Sequence, residues 1–585
     1  MGQDDFACGV SASLLGQPWR WRRNGGDDLS LSLTDQLLLA RGVEQSDLPR
    51  HRQPTIRDFL PDPSVFKDMD KAAKRLADAV ERQEGVTIFG DYDVDGATSA
   101  ALLVLLLRRL GLGAGTYIPD RLMEGYGPSG DALVALKQAG ADLVVTVDCG
   151  AQAFAALEAA TNAGLDVIIC DHHQCAAELP KAYAVINPNR LDESDDGAAH
   201  GHLAAVGMAF LLGVALVREL RKRGRFAEAA EPSIMDLLDL VALGTVADVA
   251  RLKTLNRAFV TQGLKVMAGG QNLGLTSLAE AARLVKAPSC RDLGFALGPR
   301  INAGGRVGKS DLGVRLLTST DSEEARTIAV ELDRLNEERR AIEILVTEAA
   351  EQQSAERAAD PVVIVSGRGW HPGVIGIVAG RLKEKLHRPT IVIAEDDDGT
   401  GKGSGRSISG VDLGAAVLAA KDSGLLIAGG GHAMAAGLTV APGGIEALRS
   451  FLCERLVKDV EQAVGARALL LDAAIAPGGV VGGLCDELDG GGPYGAGWPN
   501  PKIAAGPARL MRVGIVGNGH VRGIACGPDG KSFKWIAFRS AGTDLGRALL
   551  ESPPDVRWWL AGTIKRDEWN GGNAAEMHLE DAALA

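Results

Sequence analysis

The sequence predicts an α/β protein: two α/β domains joined by a long helix, plus a C-terminal OB-like β-barrel. Three observations carry this. Val/Ile-rich runs alternate with Ala/Leu-rich segments between about residues 84 and 190, and again beyond 359. Helix-forming polar residues fill 322–357 between them. After about 466 the texture turns to short alternating segments broken by Gly and Pro. Strands that alternate with helices build parallel sheets, whereas short strands in succession build sandwiches or barrels.

Taken in order, residues 1 to about 55 carry few periodic signals and read as an N-terminal arm. Val86-Thr87-Ile88-Phe89, Leu143–Val147 and Val167–Cys170 are continuous apolar runs, as strands buried on both faces require. Ala97–Leu110, Gly130–Ala139 and Ala151–Ala163 read as the helices between them. Leu203–Arg223 and Met235–Ala247 are helical and bring Asp248 to a helix terminus. Beyond the polar helix, Pro361–Ser366 and Pro389–Ala394 read as strands and Val374–Leu386 as a helix. Gly401–Gly405 and Gly429–Gly431 read as Gly-rich loops. Ala508–Ile515, His520–Cys526 and Phe533–Phe538 alternate as the strands of a small antiparallel barrel.

At 585 residues the chain is long enough for several cores. Its longest uncharged apolar run, Ala97–Leu107, ends at Arg108 and Arg109. That is short of the roughly 20 residues a bilayer span needs, so no membrane contact is expected. Met1-Gly2-Gln3-Asp4-Asp5 lacks the basic-then-apolar pattern of a secretory leader. The eight cysteines form no CxxC pair, which suits a reducing cytoplasm and speaks against a disulfide framework or a structural zinc site. A net charge of -13 argues against nucleic-acid binding through overall charge, though a local basic groove remains compatible with it.

The chemistry concentrates in four runs: Gly90-Asp91-Tyr92-Asp93-Val94-Asp95-Gly96, Val147-Asp148-Cys149-Gly150, Asp171-His172-His173 and Gly244-Thr245-Val246-Ala247-Asp248-Val249. The first three stand where predicted strands end, the place at which open α/β sheets bind ligands. Three carboxylates two residues apart repel one another unless cations offset the charge. An EF-hand is excluded, because its twelfth position falls on Leu102 rather than Glu. Singly, Asp-Cys-Gly is an ordinary turn and Asp-His-His an ordinary strand end; together the four runs supply carboxylates and imidazoles for one or two hard-to-borderline cations.

In this order the four runs resemble the DHH phosphoesterase superfamily. Further stretches narrow the resemblance to its bacterial single-strand-specific 5′-to-3′ DNA exonucleases. These are Pro119-Asp120-Arg121 with Glu124-Gly125-Tyr126-Gly127, Gly298–Arg306, Trp370–Gly376, Gly403-Ser404-Gly405-Arg406-Ser407 and Gly429–Ala433. The resemblance implies an arm at 1–55, a DHH catalytic domain at 56–320, a connector helix at 321–358, a DHH-associated domain at 359–465 and an OB-like domain at 466–585. Two departures stand out: Ala303-Gly304-Gly305-Arg306 where relatives often read Ala-Ala-Gly-Arg, and Gly497-Trp498-Pro499-Asn500-Pro501 in place of a Gly-Asn-Pro stretch.

The resemblance further implies two cations, Mn²⁺ or Mg²⁺: Asp91 and Asp93 for the first, Asp95, His172 and Asp248 for the second, with Asp148 between them. No Ser, Cys or Lys is arranged as a nucleophile, so a water between the two cations is expected to attack the phosphodiester. His173 suits the scissile phosphate or leaving oxygen, with a supporting hydrogen bond as its other role. Arg121, Arg300, Arg306, Asn302, Ser404 and Arg406 are candidate phosphate or substrate contacts, since guanidinium forks match phosphate oxygens. Of these, Arg121, Ser404 and Arg406 are expected at the 5′ end of the strand. His432 is expected to reach substrate from the second domain, and Tyr126 either stacks on a base or is simply packed. The expected partner is single-stranded DNA, with a helicase and a single-strand-binding protein as further candidates. The alternatives are a relative acting on short oligonucleotides or cyclic dinucleotides, and a non-catalytic single-strand-binding scaffold.

Overall fold

A computed structural model describes residues 6–22, 30–120, 123–567 and 574–585. The chain divides into two compact units, Asp62–Asp248 with Lys265–Ala466, and Met1–Pro61 with Val249–Leu264 and Arg467–Ala585.

The first of these contains two sheets. One is five-stranded and parallel, in the order Ala114–Tyr117, Val86–Gly90, Leu143–Val147, Asp166–Cys170, Ala184–Ile186. Its central strand, Leu143–Val147, is buried throughout, as its unbroken apolar sequence requires. Val94–Arg109 is buried on nearly every face between this sheet and the helices Ala205–Lys222 and Leu238–Ala247. That helix crossing is close because Gly244 has no side chain: a Cβ there would stand 2.3 Å from Thr98 Oγ1.

A 35-residue helix, Ser322–Glu356, leads to the second sheet. Asp321 caps it by accepting from the amides of Glu323 and Glu324. Its buried Glu343 is held by Arg339 and by Arg381 of helix Pro372–Leu386. The sheet order is Ala428–His432, Ala435–Val440, Gly401–Arg406, Thr390–Glu395, Val363–Arg368. The glycine-rich stretches expected as loops are therefore strands. Alternate glycines face packed side chains: a Cβ on Gly403 would come within 2.6 Å of Leu438 Cδ1, and one on Gly405 within 2.7 Å of Leu413 Cδ2. Composition signalled a loop, but packing demanded a smooth strand face. Gly403→Ala is expected to lower stability by about 1–3 kcal/mol through overpacking, read as a drop in melting temperature.

In the other unit, Ile503–Val516, His520–Cys526, Ser532–Ala537, Ala575–Leu584 and Trp558–Arg566 close into a five-stranded barrel through pairing of the first with the last. The segment read as an N-terminal arm belongs to this unit. Trp19–Trp21 pairs in parallel with Leu469–Leu471, and the fully buried Trp19 indole donates to Asp581 at 3.0 Å. Segment 249–264, expected in the catalytic domain, joins the same unit. There the buried Arg257 guanidinium donates to the carbonyls of Gly491 and Pro493. Such long-range polar ties leave no periodic trace in a sequence. No helix among the described residues is long and apolar enough to cross a membrane.

Candidate active site

The parallel sheet delivers three of the four motifs at the carboxyl ends of adjacent strands. Strand Val86–Gly90 ends in Asp91, and Asp93 then caps helix Val94–Arg109 by accepting from Gly96 N–H at 3.0 Å. Gly96 is required there, since a Cβ would stand 2.4 Å from the Asp91 carbonyl oxygen. Asp95, in the first turn, is 1% exposed. Its two oxygens accept from the amides of Ala205 and Val206 at 2.6 and 2.9 Å. Helix Ala205–Lys222 has no side-chain cap of its own, so Asp95 serves as one through space.

Strand Leu143–Val147 leads into Asp148, whose backbone is left-handed (φ 60°) and whose side chain is buried. Strand Asp166–Cys170 leads into Asp171, His172 and His173. Asp248 stands at the C-terminal end of helix Leu238–Ala247.

These residues converge. Ligand atoms of Asp91, Asp93 and Asp148 lie within 4.8 Å of one another; so do those of Asp95, His172 and Asp248, and those of Asp148, His172 and His173. Asp148 thus belongs to two of the three groups, with His172 Nε2 at 3.2 Å from its Oδ1. His172 Nδ1 donates to the Leu203 carbonyl at 3.1 Å, which leaves Nε2 as the lone-pair nitrogen. That Nε2 is buried and has no hydrogen-bond partner among the described residues. Burial, then the charge of His173, pulls the His172 pKa down to about 4, so its imidazole is neutral near pH 7, as a ligand must be.

The carboxylates tell the same story. Burial first, and repulsion from Asp93 next, raises the pKa of both Asp95 and Asp148; burial and Asp95 raise that of Asp248. A group of acids that resists ionisation on its own is ionised readily around dications. An orphaned imidazole nitrogen facing clustered carboxylates, with no thiolate among the donors, fits two hard-to-borderline cations.

Asp171 has another task, which the sequence reading did not assign. It is 1% exposed, and its Oδ1 accepts from the amides of His172 and His173 and from His173 Nδ1 at 2.7, 3.2 and 2.8 Å. Its Oδ2 accepts from Ala151 N–H at 3.0 Å. One carboxylate so joins the turn after Asp148 to the His pair. Burial alone would raise its pKa, but the His173 hydrogen bond and charge outweigh that and hold it at about 2. Reciprocally, burial would lower the His173 pKa, but Asp171 lifts it to about 9. The spacing Asp-His-His was the available signal; what it lacked was direction.

The remaining candidates separate into groups. Tyr126 is at the cluster: its hydroxyl donates to the Asp148 carbonyl at 2.9 Å and lies 3.2 Å from His173 Nδ1. The residue is 56% exposed. Ser404 and Arg406 sit together on strand Gly401–Arg406, with Arg406 Nη1 donating to Ser404 Oγ at 3.1 Å. They pack over Gly376, near the start of helix Pro372–Leu386, where a Cβ would meet Ser404 Oγ at 3.0 Å. Arg306 donates to the Gly373 carbonyl at that same helix start. His432 ends the edge strand Ala428–His432 and is exposed. Arg121 lies outside the described residues.

Arg300 and Asn302, expected as substrate contacts, have partners within the protein. Arg300 is buried, with its guanidinium engaged by Asp333 at 2.8 Å and by the Ala296 carbonyl. Asn302 Oδ1 accepts from Val94 N–H at 3.2 Å. Such pairings are not encoded by the residue types alone.

Three family descriptions match the chain: the DHH family N-terminal domain over residues 85–245, the DHHA1 domain over 359–458 and the RecJ OB domain over 471–581. Fold and site together thus define a DHH-type protein. The chain is 39% identical over 508 residues to the single-stranded-DNA-specific exonuclease RecJ of Dickeya dadantii (strain 3937), covering 84% of this chain and 86% of that one. It is 37% identical over 502 residues to the Escherichia coli (strain K12) protein of the same description, with the same two coverages. The crystal structure of RecJ in complex with Mn²⁺ from Thermus thermophilus is similar at a TM-score of 0.75 and 28% identity, over 96% of this chain and 79% of that one. The chain belongs to the RecJ family.

Proposed function

We propose that this protein is a metal-dependent, single-strand-specific DNA exonuclease that degrades from the 5′ end and releases 5′-mononucleotides, in cytoplasmic DNA repair and recombination. The observation that carries the reading is the pair of acidic and imidazole groups meeting at Asp148, in a chain that matches RecJ relatives across the DHH, DHHA1 and OB regions. Relatives described as complexes with Mn²⁺ and with Mg²⁺ support those two ions.

Asp91, Asp93 and Asp148 would hold one dication, and Asp95, His172 and Asp248 the other. Bound there, the pair supplies Lewis-acid charge that makes water a competent nucleophile and offsets charge gathering on the phosphate. Asp148 keeps the two groups in register. His173 carries a proton by virtue of Asp171 and can donate it to a phosphate or leaving oxygen beside the cluster. Tyr126 fixes the Asp148 backbone and offers a ring face to a base. Ser404 and Arg406 supply a hydroxyl and a guanidinium suited to a terminal phosphate. The family's oligonucleotide and cyclic-dinucleotide chemistry is less well supported, because a long strand gives the OB barrel a role. A helicase and a single-strand-binding protein are the partners that such a degradation would need to open and present the strand.

The test is digestion of end-labelled 5′-phosphorylated single strands and blunt duplexes with Mn²⁺, with Mg²⁺ and with EDTA. Mononucleotides appearing from the 5′ side of single strands, and only with metal, are expected. Equal rates on blunt duplex, release from the 3′ end, or activity in EDTA would each reject the reading.

A further inference from the structure

The helix Gly298–Val307 contains the stretch Gly-Pro-Arg-Ile-Asn-Ala-Gly-Gly-Arg, whose polar residues look at first like substrate contacts. Its contacts point elsewhere. A π-helical turn, Leu293–Leu297, precedes it, a rare conformation that is often found near functional sites. At its start, a Cβ on Gly298 would lie 3.3 Å from Ala247 Cβ, beside Asp248. Near its end, a Cβ on Gly305 would lie 2.8 Å from the Tyr92 carbonyl oxygen, between Asp91 and Asp93. Between the two, Asn302 Oδ1 accepts from Val94 N–H, the first amide of the helix that carries Asp95. The helix therefore touches every segment that carries a proposed carboxylate ligand except that of Asp148.

Its other face is anchored. Arg300 Nε and Nη2 both reach Asp333 Oδ1, at 2.9 and 2.8 Å, on the long helix Ser322–Glu356. A guanidinium held at two nitrogens cannot swing toward a phosphate without giving up a half-buried pair.

We propose that Asn302 is a positioning residue for the metal-binding carboxylates, steadied by the Arg300–Asp333 pair, rather than a substrate contact. Amides in the first turn of a helix have no partner within the helix. Asp93 satisfies that of Gly96, and Asn302 satisfies that of Val94. Asn302 thereby sets the rotation and depth at which Asp93 and Asp95 leave the helix start. Groups that orient metal ligands alter affinity by about 10- to 100-fold when lost. This inference rests on the proposed metal-dependent reading of the same site.

The experiment is calorimetric titration of Mn²⁺ into DNA-free protein, with single-strand binding measured separately by anisotropy in EDTA. Asn302→Ala is expected to weaken Mn²⁺ binding by about tenfold or more while the oligonucleotide Kd stays within twofold. Asn302→Asp, which keeps an acceptor oxygen at the helix start, is expected to recover most of the Mn²⁺ affinity. Unchanged Mn²⁺ affinity in Asn302→Ala, a weakened oligonucleotide Kd with normal metal binding, or no recovery in Asn302→Asp would each overturn the proposal. Should Asn302→Ala fail to fold, Arg300→Ala decides: weaker Mn²⁺ binding supports it and wild-type affinity overturns it. Because the titration contains no DNA, its outcome is independent of whether the wild-type protein digests single strands as proposed above.

Discussion

Asp148→Ala is expected to cost about 10³-fold or more in nuclease activity, since it removes the one carboxylate that belongs to two of the three ligand groups and with it several kcal/mol of charge stabilisation. The same substitution is expected to leave the metal-free protein nearly as stable as before. Asp148 is buried, and burial together with the neighbouring Asp93, Asp95, Asp91 and Asp248 disfavours its charge, so its removal relieves repulsion. Against that relief stands its left-handed backbone, which Asp tolerates better than Ala by about 1 kcal/mol. Asp148→Asn keeps the backbone preference and the shape while losing the charge, and it should be as inactive as the alanine variant. Digestion rates, with melting temperatures in EDTA, check both halves. A variant that retains a tenth of the activity would mean that catalysis does not depend on this carboxylate.

The parts of the fold that could be read in advance are those whose cause is local. Val86–Gly90, Leu143–Val147 and Asp166–Cys170 are strands because unbroken Val/Ile runs bury both faces, and that is written in four or five consecutive residues. The edge strands Ala114–Tyr117 and Ala184–Ile186 are short, so they escaped. The glycine strands escaped for a different reason. Gly401, Gly403 and Gly405 are chosen by Ile393, Leu438 and Leu413, residues 8 to 35 positions away, and no window centred on the glycines contains that instruction.

The site followed the same rule. That Asp91, Asp93, Asp95, Asp148, His172 and Asp248 would gather was legible, because each stands at the end of an element whose direction is set by the sheet. Which way a polar side chain turns was not. Asn302 and Arg300 have the right types for a substrate groove, yet their partners are Val94 and Asp333, 208 and 33 residues away. Asp171 shows the converse: it sits in the Asp-His-His run itself and binds backbone amides and His173.

Asp171→Asn is accordingly expected to lower activity by on the order of 100-fold without removing any proposed ligand. An amide offers one acceptor oxygen and one NH₂ group. Whichever way it is flipped, the NH₂ faces a donor: Ala151 N–H on one side, or the His172 and His173 amides on the other. The turn after Asp148 and the His pair then lose their common tie, and kcat should fall more than KM rises. Stability gives a second signature. The Asp171 carboxylate, held at about 2 against roughly 3.9 in an unfolded chain, stabilises the fold above about pH 4, and that contribution is lost as the pH falls toward 2. His173, lifted to about 9 from roughly 6.5, contributes fully below about pH 6.5 and loses its share as the pH rises through 9. The two shifts describe one ion pair, so in EDTA the wild type should exceed Asp171→Asn in stability most between about pH 4 and 6.5, by about 2–3 kcal/mol. The gap should narrow toward pH 2 and toward pH 10, where the ion pair is lost, as followed by denaturant unfolding at each pH. A gap independent of pH would show that the carboxylate acts only as a spacer, and the orientation of His173 would then need another cause.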